Sequence, residues 1–407
     1  MKDVLDVVVV GGGPCGSFAA LKLAKLGADV TIFEEHSEIG IPSHCTGHLS
    51  IKGLKNLKLC PLPAEIVENT FYGANFYSPK GNEFSVRFSS PITCAVNRPL
   101  FDKHIAEMAE HSGVSYCLNT RVESLIVEDG FVKGVVVKQK DKTEKKRAKI
   151  VVDAEGISSR ILGETGLAGL NRSMLLNGVE AEVDNAKKME TERVEVFLGK
   201  EYAPGFYAWM IPKNDGKAKV GLAAKNGNPR MFLQRLMHKH PIASRKLGTA
   251  KILQTSFHPI TLGGPIPQAY SNGLLAVGDA ASHVKPTTGG GVILGMTCAN
   301  VAAEVVMGAW CRNDFSEESL STYQKRCKEI LGFDVKFMLR MRRTLDRMSD
   351  ERLDDMIGLC TRLGLDKTLQ NVDDIDFQGQ AFMRVLRSPR MLTALSYFFF
   401  AYLSANL

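Results

Sequence analysis

The sequence predicts an α/β fold in which a parallel, Rossmann-like sheet is interleaved with an antiparallel sheet and followed by helices. Two observations predict the parallel sheet: a strand, glycine turn and helix at residues 6–26, and a later strand that ends in Gly278-Asp279. A third observation, the strand-like alternation over residues 171–225, predicts the antiparallel sheet.

The expected division of the chain follows from these stretches. A discontinuous nucleotide-binding domain is expected at residues 1–55, 92–170 and 263–310, a substrate domain at 56–91 and 171–262, and a helical region at 311–407.

The first strand and helix surround a glycine turn. Residues 6–10 form a β-branched run typical of a buried parallel strand, and apolar residues then recur at helical spacing over 17–26. Gly11 permits the tight turn, Gly13 lets the backbone approach a pyrophosphate, and Gly16 lets the helix pack closely on the strand. The free N–H groups at the start of the helix would bind phosphate.

A second strand, predicted at residues 29–33, ends in Glu34-Glu35. Glu34 follows the glycine turn at the distance expected for a carboxylate that accepts hydrogen bonds from ribose hydroxyls. Together with the strand and helix before it, this acid predicts a dinucleotide site.

Composition and charge exclude several classes of protein. The chain has 407 residues and a formal net charge of +7, without an arginine-rich arm, so we expect no nucleic-acid partner and favour a membrane surface or an anionic lipid. Its nine cysteines are scattered without a CxxC pair, which predicts reduced thiols and no metal site. With no signal peptide and no apolar run of about 18 to 20 residues, a cytoplasmic protein that can touch a membrane is expected.

The loop at residues 36–48 is rich in Gly, Pro, Ser and His, and it leaves the second strand at the sheet edge where ligands of such folds lie. Cys45 in this loop is either a small packing residue or a group near the reaction centre.

Strands are expected over 70–90, with a turn at 78–82. A helix is expected from Arg98 to about His111, with Arg98 either solvated or in contact with the cofactor.

Paired strands are predicted at residues 120–127 and 131–139. The charged run 141–147 is expected to be a solvated hairpin tip. A strand at 149–152 then brings the segment 153–160 to the same sheet edge.

The antiparallel block contains strands predicted at 178–183, 194–198, 205–211 and 218–224, followed by a helix at 229–247. Two-residue alternation places Tyr207, Trp209 and Ile211 on one face of their strand. These side chains form either an aromatic core or an aromatic wall against a ligand.

The chain re-enters the nucleotide domain with a strand at 273–277 that ends in Asp279, followed by the glycine turn 289–291 and a small-residue helix through about Gly308. An aspartate at a strand end and a free helix N-terminus can bind a polyol and an electron-rich carbonyl, respectively.

The last hundred residues have a helical pattern. The terminal stretch 391–403 is uncharged and aromatic, and Arg384, Arg387 and Arg390 precede it. It suits an interfacial helix whose cations meet lipid headgroups, or a helix that packs on the protein itself.

On these residues, the sequence resembles the FAD-dependent para-hydroxybenzoate-hydroxylase-like fold, and within it the geranylgeranyl reductase family. Residues 11–16 with Glu34 are similar to the ADP-binding motif, and Gly278-Asp279 is similar to the motif whose aspartate holds the ribityl chain of FAD. The segment 155–160 is similar to the intermediate motif, with Glu155 where the family usually has Asp. Residues 204–212 resemble the substrate motif PxxYxWxFP, with Ile211 in place of the aromatic residue.

The resemblance implies roles for individual residues. The implied FAD-binding residues are Gly11, Gly13, Pro14, Cys15, Gly16, Glu34, Glu35, Cys45, Arg98, Val122, Glu155, Gly278, Asp279, Pro286, Gly289, Gly290 and Gly291. The implied catalytic residues are Cys45, Tyr207 and Trp209, and the implied substrate-binding residues are Tyr207, Trp209, His48 and Pro212, with His44 and His48 as weaker candidates for chemistry.

The activity that the resemblance implies is the FAD-dependent reduction of isolated double bonds in geranylgeranyl chains of an archaeal diether lipid. Ferredoxin or NAD(P)H would supply the electrons, and the protein would contact the membrane peripherally. Three alternatives remain open at this stage: a flavin monooxygenase of a hydrophobic substrate, a membrane-docked electron carrier, and a non-catalytic flavin-binding scaffold.

Overall fold

The computed structural model describes residues 4–370, 372, 374–386 and 388–403, with side chains up to residue 397. The first elements are β1 (Leu5–Val10), α1 (Pro14–Lys25), β2 (Val30–Phe33), β3 (His48–Ser50), α2 (Ile51–Asn56), β4 (Val67–Phe71), β5 (Gly73–Tyr77), β6 (Glu83–Arg87), β7 (Thr93–Val96) and α3 (Arg98–Glu110). The middle of the chain forms β8 (Ser115–Cys117), β9 (Arg121–Glu128), β10 (Phe131–Gln139), β11 (Lys142–Asp153), β12 (Leu175–Asp184), β13 (Arg193–Phe197), β14 (Ala208–Pro212), β15 (Ala218–Ala224), α4 (Pro229–Lys239), α5 (Ala243–Leu247) and β16 (Lys251–Thr261). The last elements are β17 (Tyr270–Ser271), β18 (Leu274–Ala276), α6 (Val292–Arg312), α7 (Glu317–Arg347), α8 (Asp350–Arg362), α9 (Leu365–Leu369), α10 (Gln378–Val385) and α11 (Pro389–Leu403).

The chain forms two compact units. Unit 1 contains Met1–Ser43, Arg98–Met174 and Thr261–Val335, and unit 2 contains His44–Asn97, Leu175–Ile260 and Lys336–Leu407. The domain division expected from the sequence stays a prediction.

Unit 1 is built on a sheet with the strand order β17-β18-β11-β1-β2-β8. β1 pairs in parallel with both β2 and β11, and Val7, Val8 and Val9 are fully buried. The predicted buried parallel strand is therefore confirmed, and its valines form the centre of this core.

The charged run 141–147 is solvated and lies at a hairpin as expected, but most of it is strand and not turn. β11 begins at Lys142 and pairs with β10 in its first half and with β1 in its second, so the turn is confined to Lys140 and Asp141. Most of the run is strand because β10 supplies its hydrogen bonds while the charged side chains remain largely exposed.

Unit 2 contains a second sheet with the order β16-β12-β15-β14-β13-β5-β6. The expected antiparallel pairing is confirmed for β12–β15, β14–β15, β13–β14 and β5–β6, whereas β13 and β5 pair in parallel. One face of the sheet packs on α4 and α5 through a core that includes Val179, Met210, Val220 and Leu222. The opposite face carries Glu180, Trp209, Lys219 and Gly221, because alternate residues of a strand point to opposite faces. We call it the open face.

Three local features of unit 2 differ from the expectations. β3, β7 and β4 form a small sheet that the sequence pattern did not indicate, since β3 is only three residues long and follows a polar loop. The helix expected at 229–247 is two helices, α4 and α5. The first helix cannot continue because Pro241 has no backbone N–H to donate. At the start of the second helix, His240 Nδ1 accepts a hydrogen bond from Ala243 N at 3.2 Å. Strand β14 starts at Ala208, so Tyr207 precedes it.

The predicted helical C-terminal region is observed from α7 to α11. Arg387 and the side chains of residues 398–403 lie outside the described residues, so the predicted interfacial surface is described only up to Tyr397.

Helix α6 is an exception to the expectation that no apolar stretch of the chain is long enough to span a membrane. α6 is long and apolar enough to do so, but 67% of its most apolar stretch is buried inside the protein. We therefore describe α6 as a core helix.

A buried ion pair in unit 2 predicts a large loss of stability. Glu195 on β13 is fully buried, its pKa is raised by burial, and the ammonium of Lys246 on α5 opposes that rise. Replacing Lys246 by methionine leaves a buried carboxylate without its partner, which costs about 3–5 kcal/mol near neutral pH. Urea unfolding of unmodified protein and Lys246→Met measures this loss.

The pH dependence has a defined sign. Because the folded-state pKa of Glu195 lies above the unfolded value of about 4.3, the folded variant binds the extra proton, and stability falls as pH rises through the folded pKa. The variant should therefore be closer to the unmodified protein at about pH 5 than at about pH 8. A loss of the same size in Lys239→Met, an exposed lysine of α4, would contradict the ion-pair explanation.

Candidate functional site

The glycine turn of unit 1 has the geometry of a phosphate cradle. Gly11 has a φ of +94°, and a Cβ there would lie 2.6 Å from Ala154 O. A Cβ on Gly16 would lie 2.0 Å from Gly11 O, whereas one on Gly13 would meet no protein atom within 4 Å. Gly11 and Gly16 are therefore required by the protein's own packing, and Gly13 faces open space.

Helix α1 begins directly after this turn. Pro14 lies in its first turn, its N-cap Gly13 provides no side-chain hydrogen bond, and the first turn contains no acidic residue. The amides and the positive end of the helix dipole are thus available to an anion.

Glu34 lies beside the turn. Its Oε2 accepts from Gly12 N at 2.7 Å and its Oε1 accepts from His36 N at 2.9 Å, which orients the carboxylate at the end of β2. The neighbouring Glu35 is half exposed and lies 3.8 Å from Arg121 Nε, while Val122 is buried in β9. Of the two acids, Glu34 is the one fixed next to the glycine turn.

A second cradle lies where β18 meets α6. Asp279 follows β18, and burial raises its pKa while the guanidinium of Arg98 opposes that rise. A Cβ on Gly291 would lie 2.7 Å from Asp279 Oδ1, and a Cβ on Gly278 would lie 3.0 Å from the side chain of Cys15. The glycines therefore leave the Asp279 carboxylate close to the start of α6.

The glycine turn before α6 is partly buried, and the loop residues Lys285 and Pro286 that precede it are buried. α6 begins at Val292 with the N-cap Gly291 and no side-chain cap. A Cβ on Gly290 would meet Lys285 Cε at 2.7 Å, Gly289 has a φ of +70°, and Pro286 is buried in the loop before them. The first backbone N–H groups of α6 are therefore available to a ligand, as those of α1 are.

Arg98 and Cys15 lie in the same buried region. Arg98 begins α3 and forms two hydrogen bonds with Asp102, from Nε at 3.1 Å and from Nη2 at 3.0 Å. Burial raises the pKa of the Cys15 thiol, and Asp279 raises it further. Cys15 lies in the first turn of α1, beside Gly278 of the Asp279 segment, and its role in cofactor binding stays a prediction.

Glu155 makes its contacts within its own loop. Its Oε1 accepts from Ile161 N at 2.8 Å, and its Oε2 accepts from Ser158 Oγ at 3.2 Å. Its role in cofactor binding stays a prediction.

Asp153, which the sequence analysis did not select as a cofactor residue, is fully buried at the end of β11. Its Oδ2 has no hydrogen-bond partner among the described residues, and burial beside Glu155 raises its pKa. In the sequence, Asp153 stands out only as an acidic residue at the end of a predicted strand.

The donor set of unit 1 fits FAD. Two helix N-termini without side-chain caps suit the pyrophosphate and the electron-rich edge of the flavin ring, Glu34 suits the ribose diol, and Asp279 suits the ribityl hydroxyls. The open space at Gly13 is where a pyrophosphate would approach the backbone.

The aromatic residues of unit 2 form a contiguous group. The ring centroids of Tyr207 and Trp209 are 5.9 Å apart with an edge-on arrangement, and Tyr207 stacks on Phe206 at 4.3 Å. Trp209 also packs with Phe71 and Ile211 in a small hydrophobic cluster. The indole of Trp209 contributes to this packing but is not fully buried. The structure is therefore compatible with both interpretations of these side chains, an aromatic core and an aromatic wall against a ligand.

The indole of Trp209 lies over a position without a side chain. Trp209 and Glu180 are both cross-strand neighbours of Gly221, and a Cβ on Gly221 would lie 2.5 Å from Trp209 Cζ2. The Trp209 Nε1 atom is buried and makes no hydrogen bond among the described residues. Gly221 thus lets the indole extend across β15 towards Glu180.

The Cys45 loop is attached to this same open face. Thr46 Oγ1 is hydrogen-bonded to Glu180 Oε2, and Lys219 Nζ donates to Thr46 O at 3.0 Å. Cys45 is exposed, and its Sγ accepts from Gly47 N at 3.5 Å. The structure therefore brings the Cys45 loop and Trp209 to one face of one sheet.

The remaining predicted residues of unit 2 lie around this face. His48 Nε2 and Thr93 Oγ1 are hydrogen-bonded at 2.8 Å, and the His48 ring contacts Phe71 edge-on. Pro212 ends β14, and its carbonyl oxygen accepts from Asn69 Nδ2 at 3.0 Å. His44 stacks on His258 with 5.4 Å between ring centroids.

Sequence reasoning missed Thr46, Glu180, Lys219 and Gly221. Glu180 alternates with the apolar residues Val179 and Ala181, a pattern typical of any strand with one solvent face. Nothing in that alternation marks Glu180 as a residue with a partner in a distant loop.

A buried group of His283, Cys298 and Cys327 comes from three separate elements, with ligand atoms within 4.8 Å of one another. Spacing along the chain could not reveal it. Structural zinc sites have four ligands and this group supplies three from the described residues, so the expected absence of a metal stays a prediction.

Comparisons with known proteins agree with this geometry. The family model for the FAD binding domain matches residues 4–332. Digeranylgeranylglycerophospholipid reductase of Methanocaldococcus jannaschii is 32% identical over 96% of this chain and 97% of its own length. Digeranylgeranylglycerophospholipid reductase 2 of Methanopyrus kandleri is 33% identical over 95% and 97%, respectively.

Solved structures show the same fold. A geranylgeranyl bacteriochlorophyll reductase-like protein from Thermoplasma acidophilum superposes with a TM-score of 0.86 at 25% identity, covering 97% of this chain and 99% of the other. The flavin-dependent brominase Bmp2, in a triple-mutant form, has a TM-score of 0.70 at 20% identity, which shows the fold alone. The fold class, the FAD cofactor and the family resemblance inferred from the sequence are confirmed. The chain is a member of the FAD-binding-domain flavoproteins and, within them, of the digeranylgeranylglycerophospholipid reductase family.

Proposed function

We propose that this protein reduces isolated double bonds in the geranylgeranyl chains of an archaeal diether phospholipid. The observation that carries the proposal is the similarity, over almost the whole length, to relatives named digeranylgeranylglycerophospholipid reductase. The FAD cradle of unit 1 and the aromatic open face of unit 2 are consistent with it.

The chemistry is demanding because an unactivated alkene offers no carbonyl group to polarise. Reduced FAD supplies a hydride equivalent when it is bound, and the second hydrogen must arrive as a proton. As the proton adds, positive charge develops on a tertiary carbon of the chain. The faces of Tyr207 and Trp209 are suited to stabilise that charge in a water-poor site.

Cys45 is proposed to act near the reacting double bond, which gives a testable result. Cys45→Ala is expected to lower lipid reduction by about 100-fold, the effect of removing one proton-transferring group. FAD content and the flavin absorbance spectrum should not change, because the cofactor cradle lies in unit 1.

Cys311→Ala is the matched control, since Cys311 is also an exposed free thiol but lies on α6 in unit 1. Full alkene-reducing turnover of Cys45→Ala would remove Cys45 from the reaction.

We further propose that the protein contacts the cytoplasmic side of a membrane peripherally and receives electrons from ferredoxin or NAD(P)H. Helix α11 supports the membrane contact, because Arg384 and Arg390 precede an uncharged aromatic stretch. The lipid nature of the proposed substrate supports it as well.

The lipid that co-purifies with the protein tests the substrate class. Organic extraction followed by mass spectrometry is expected to show a saturated or partly saturated isoprenoid lipid. Recovery of a lipid without isoprenoid chains would contradict the proposal.

A further inference from the structure

Glu180 is a carboxyl group on the open face of unit 2. It lies on β12, its side chain is mostly buried, and its Oε2 is hydrogen-bonded to Thr46 Oγ1 in the Cys45 loop. Across Gly221 it faces the indole of Trp209, whose buried N–H makes no hydrogen bond among the described residues. Glu180 therefore lies between the Cys45 loop and the indole of Trp209.

The charged groups near Glu180 balance one another without it. Lys219 Nζ lies 2.6 Å from Glu68 Oε2, and Lys213 Nζ lies 3.1 Å from Glu182 Oε1. Lys219 and Glu68 are both largely buried and neutralise each other, so an ionised Glu180 would add a negative charge beside an ion pair that is already balanced.

Side chains from the Cys45 loop, β4, β14 and β15 act on Glu180. The hydroxyl of Thr46 and the ammonium of Lys219 favour its ionised form, as does the nearby N–H of Trp209, which lies outside hydrogen-bond geometry, while Glu68 opposes it. Burial has the largest effect and raises the pKa of Glu180 above its ordinary value.

We propose that Glu180 is held as a neutral carboxylic acid and supplies the proton for alkene reduction through the hydroxyl of Thr46. This inference rests on the proposed function. Glu180 acts through Thr46 and is therefore a positioning and proton-supplying residue.

The step is balanced. In the structure the Thr46 hydroxyl donates to Glu180 Oε2, so it must first rotate towards the alkene. Its proton then forms the new C–H bond at one alkene carbon, and the O–H bond of Glu180 breaks as the Glu180 proton passes to Thr46 Oγ1. The electron pair of the double bond forms this C–H bond, and the other carbon would take the hydride equivalent that reduced FAD would supply when bound. The resulting carboxylate is stabilised by Lys219 and by the indole N–H of Trp209, and it regains a proton from water before the next double bond is reduced.

Single-turnover reduction of the lipid by anaerobically reduced holoprotein tests this route without involving the electron donor. Glu180→Gln keeps the shape and a hydrogen bond to Thr46 but has no acidic proton, and we expect it to slow the step by about 100-fold. Thr46→Val should slow it similarly, and Thr46→Ser should restore it to within a few fold. Glu192→Gln, an exposed carboxylate just before β13 and outside this group of charges, is the matched control and should keep the normal rate.

Two further readouts separate proton supply from a structural role. The rate of the unmodified protein should fall as pH rises through the pKa of Glu180, because the protonated form is the active one, and this limb should disappear in Glu180→Gln. The infrared carbonyl band of a protonated carboxylic acid should be present near neutral pH and absent in the same variant. All variants should retain FAD.

The outcomes distinguish the two proposals. Failure of the unmodified protein to reduce the lipid would contradict the proposed function. A normal single-turnover rate in Glu180→Gln, or an infrared spectrum that does not change on this substitution, would overturn the assignment of Glu180.

Discussion

Replacing Gly13 by valine is expected to weaken FAD binding by roughly 100-fold while leaving the fold intact. Gly13 has a φ of −65° and a ψ of 178°, a conformation that valine adopts readily, and a Cβ there meets no protein atom within 4 Å. No protein atom occupies this space, but the pyrophosphate of bound FAD would occupy it. An overlap of this kind costs about 3 kcal/mol, or roughly a 100-fold loss of affinity.

FAD titration followed by fluorescence, with thermal unfolding of the apoprotein, measures both parts of this prediction. Gly163→Val is the matched control, because a Cβ at Gly163 also meets nothing within 4 Å but the residue has no proposed ligand. Gly16→Val should instead prevent normal folding, since its Cβ would lie 2.0 Å from Gly11 O. Tight FAD binding by Gly13→Val would show that the pyrophosphate does not lie at this turn.

Replacing Trp209 by alanine is expected to slow lipid reduction by about 30-fold or more without loss of FAD. A desolvated cation–π interaction contributes about 2 kcal/mol, and each 1.36 kcal/mol of lost transition-state stabilisation is a factor of ten. The substitution also leaves a depression over Gly221, so contacts with an apolar chain are lost in addition.

Trp310→Ala is the control, because Trp310 is the other tryptophan of the chain and lies on α6 in unit 1. Trp209→Phe keeps an aromatic face and should retain an intermediate rate. Loss of FAD from Trp209→Ala, or equal loss of lipid reduction in Trp310→Ala, would assign Trp209 a purely structural role.

The nucleotide unit was predictable because its signals are local. A β-branched strand, Gly11 to Gly16, and the acid Glu34 are close in sequence, and each has a distinct backbone or hydrogen-bonding requirement. The Asp279 segment was predictable for the same reason, because the strand, the acid and the glycine turn follow one another directly.

The open face of unit 2 was only half predictable. The aromatic pair Tyr207 and Trp209 stood out within one short segment, but the pairing of Thr46 with Glu180 joins residues 134 positions apart. The space above Gly221 depends on strand register, which the alternation of β15 does not specify. The parallel pairing of β13 with β5 is non-local in the same way.

Anaerobic incubation of the reduced holoprotein with a digeranylgeranylglycerol phospholipid, followed by mass spectrometry, tests whether the protein reduces isoprenoid double bonds. We predict that the lipid gains two hydrogen atoms for each double bond reduced and that oxygen is not required. A product that gains an oxygen atom only in the presence of air would show a monooxygenase instead. An unchanged lipid in the presence of fully reduced flavin would contradict the account.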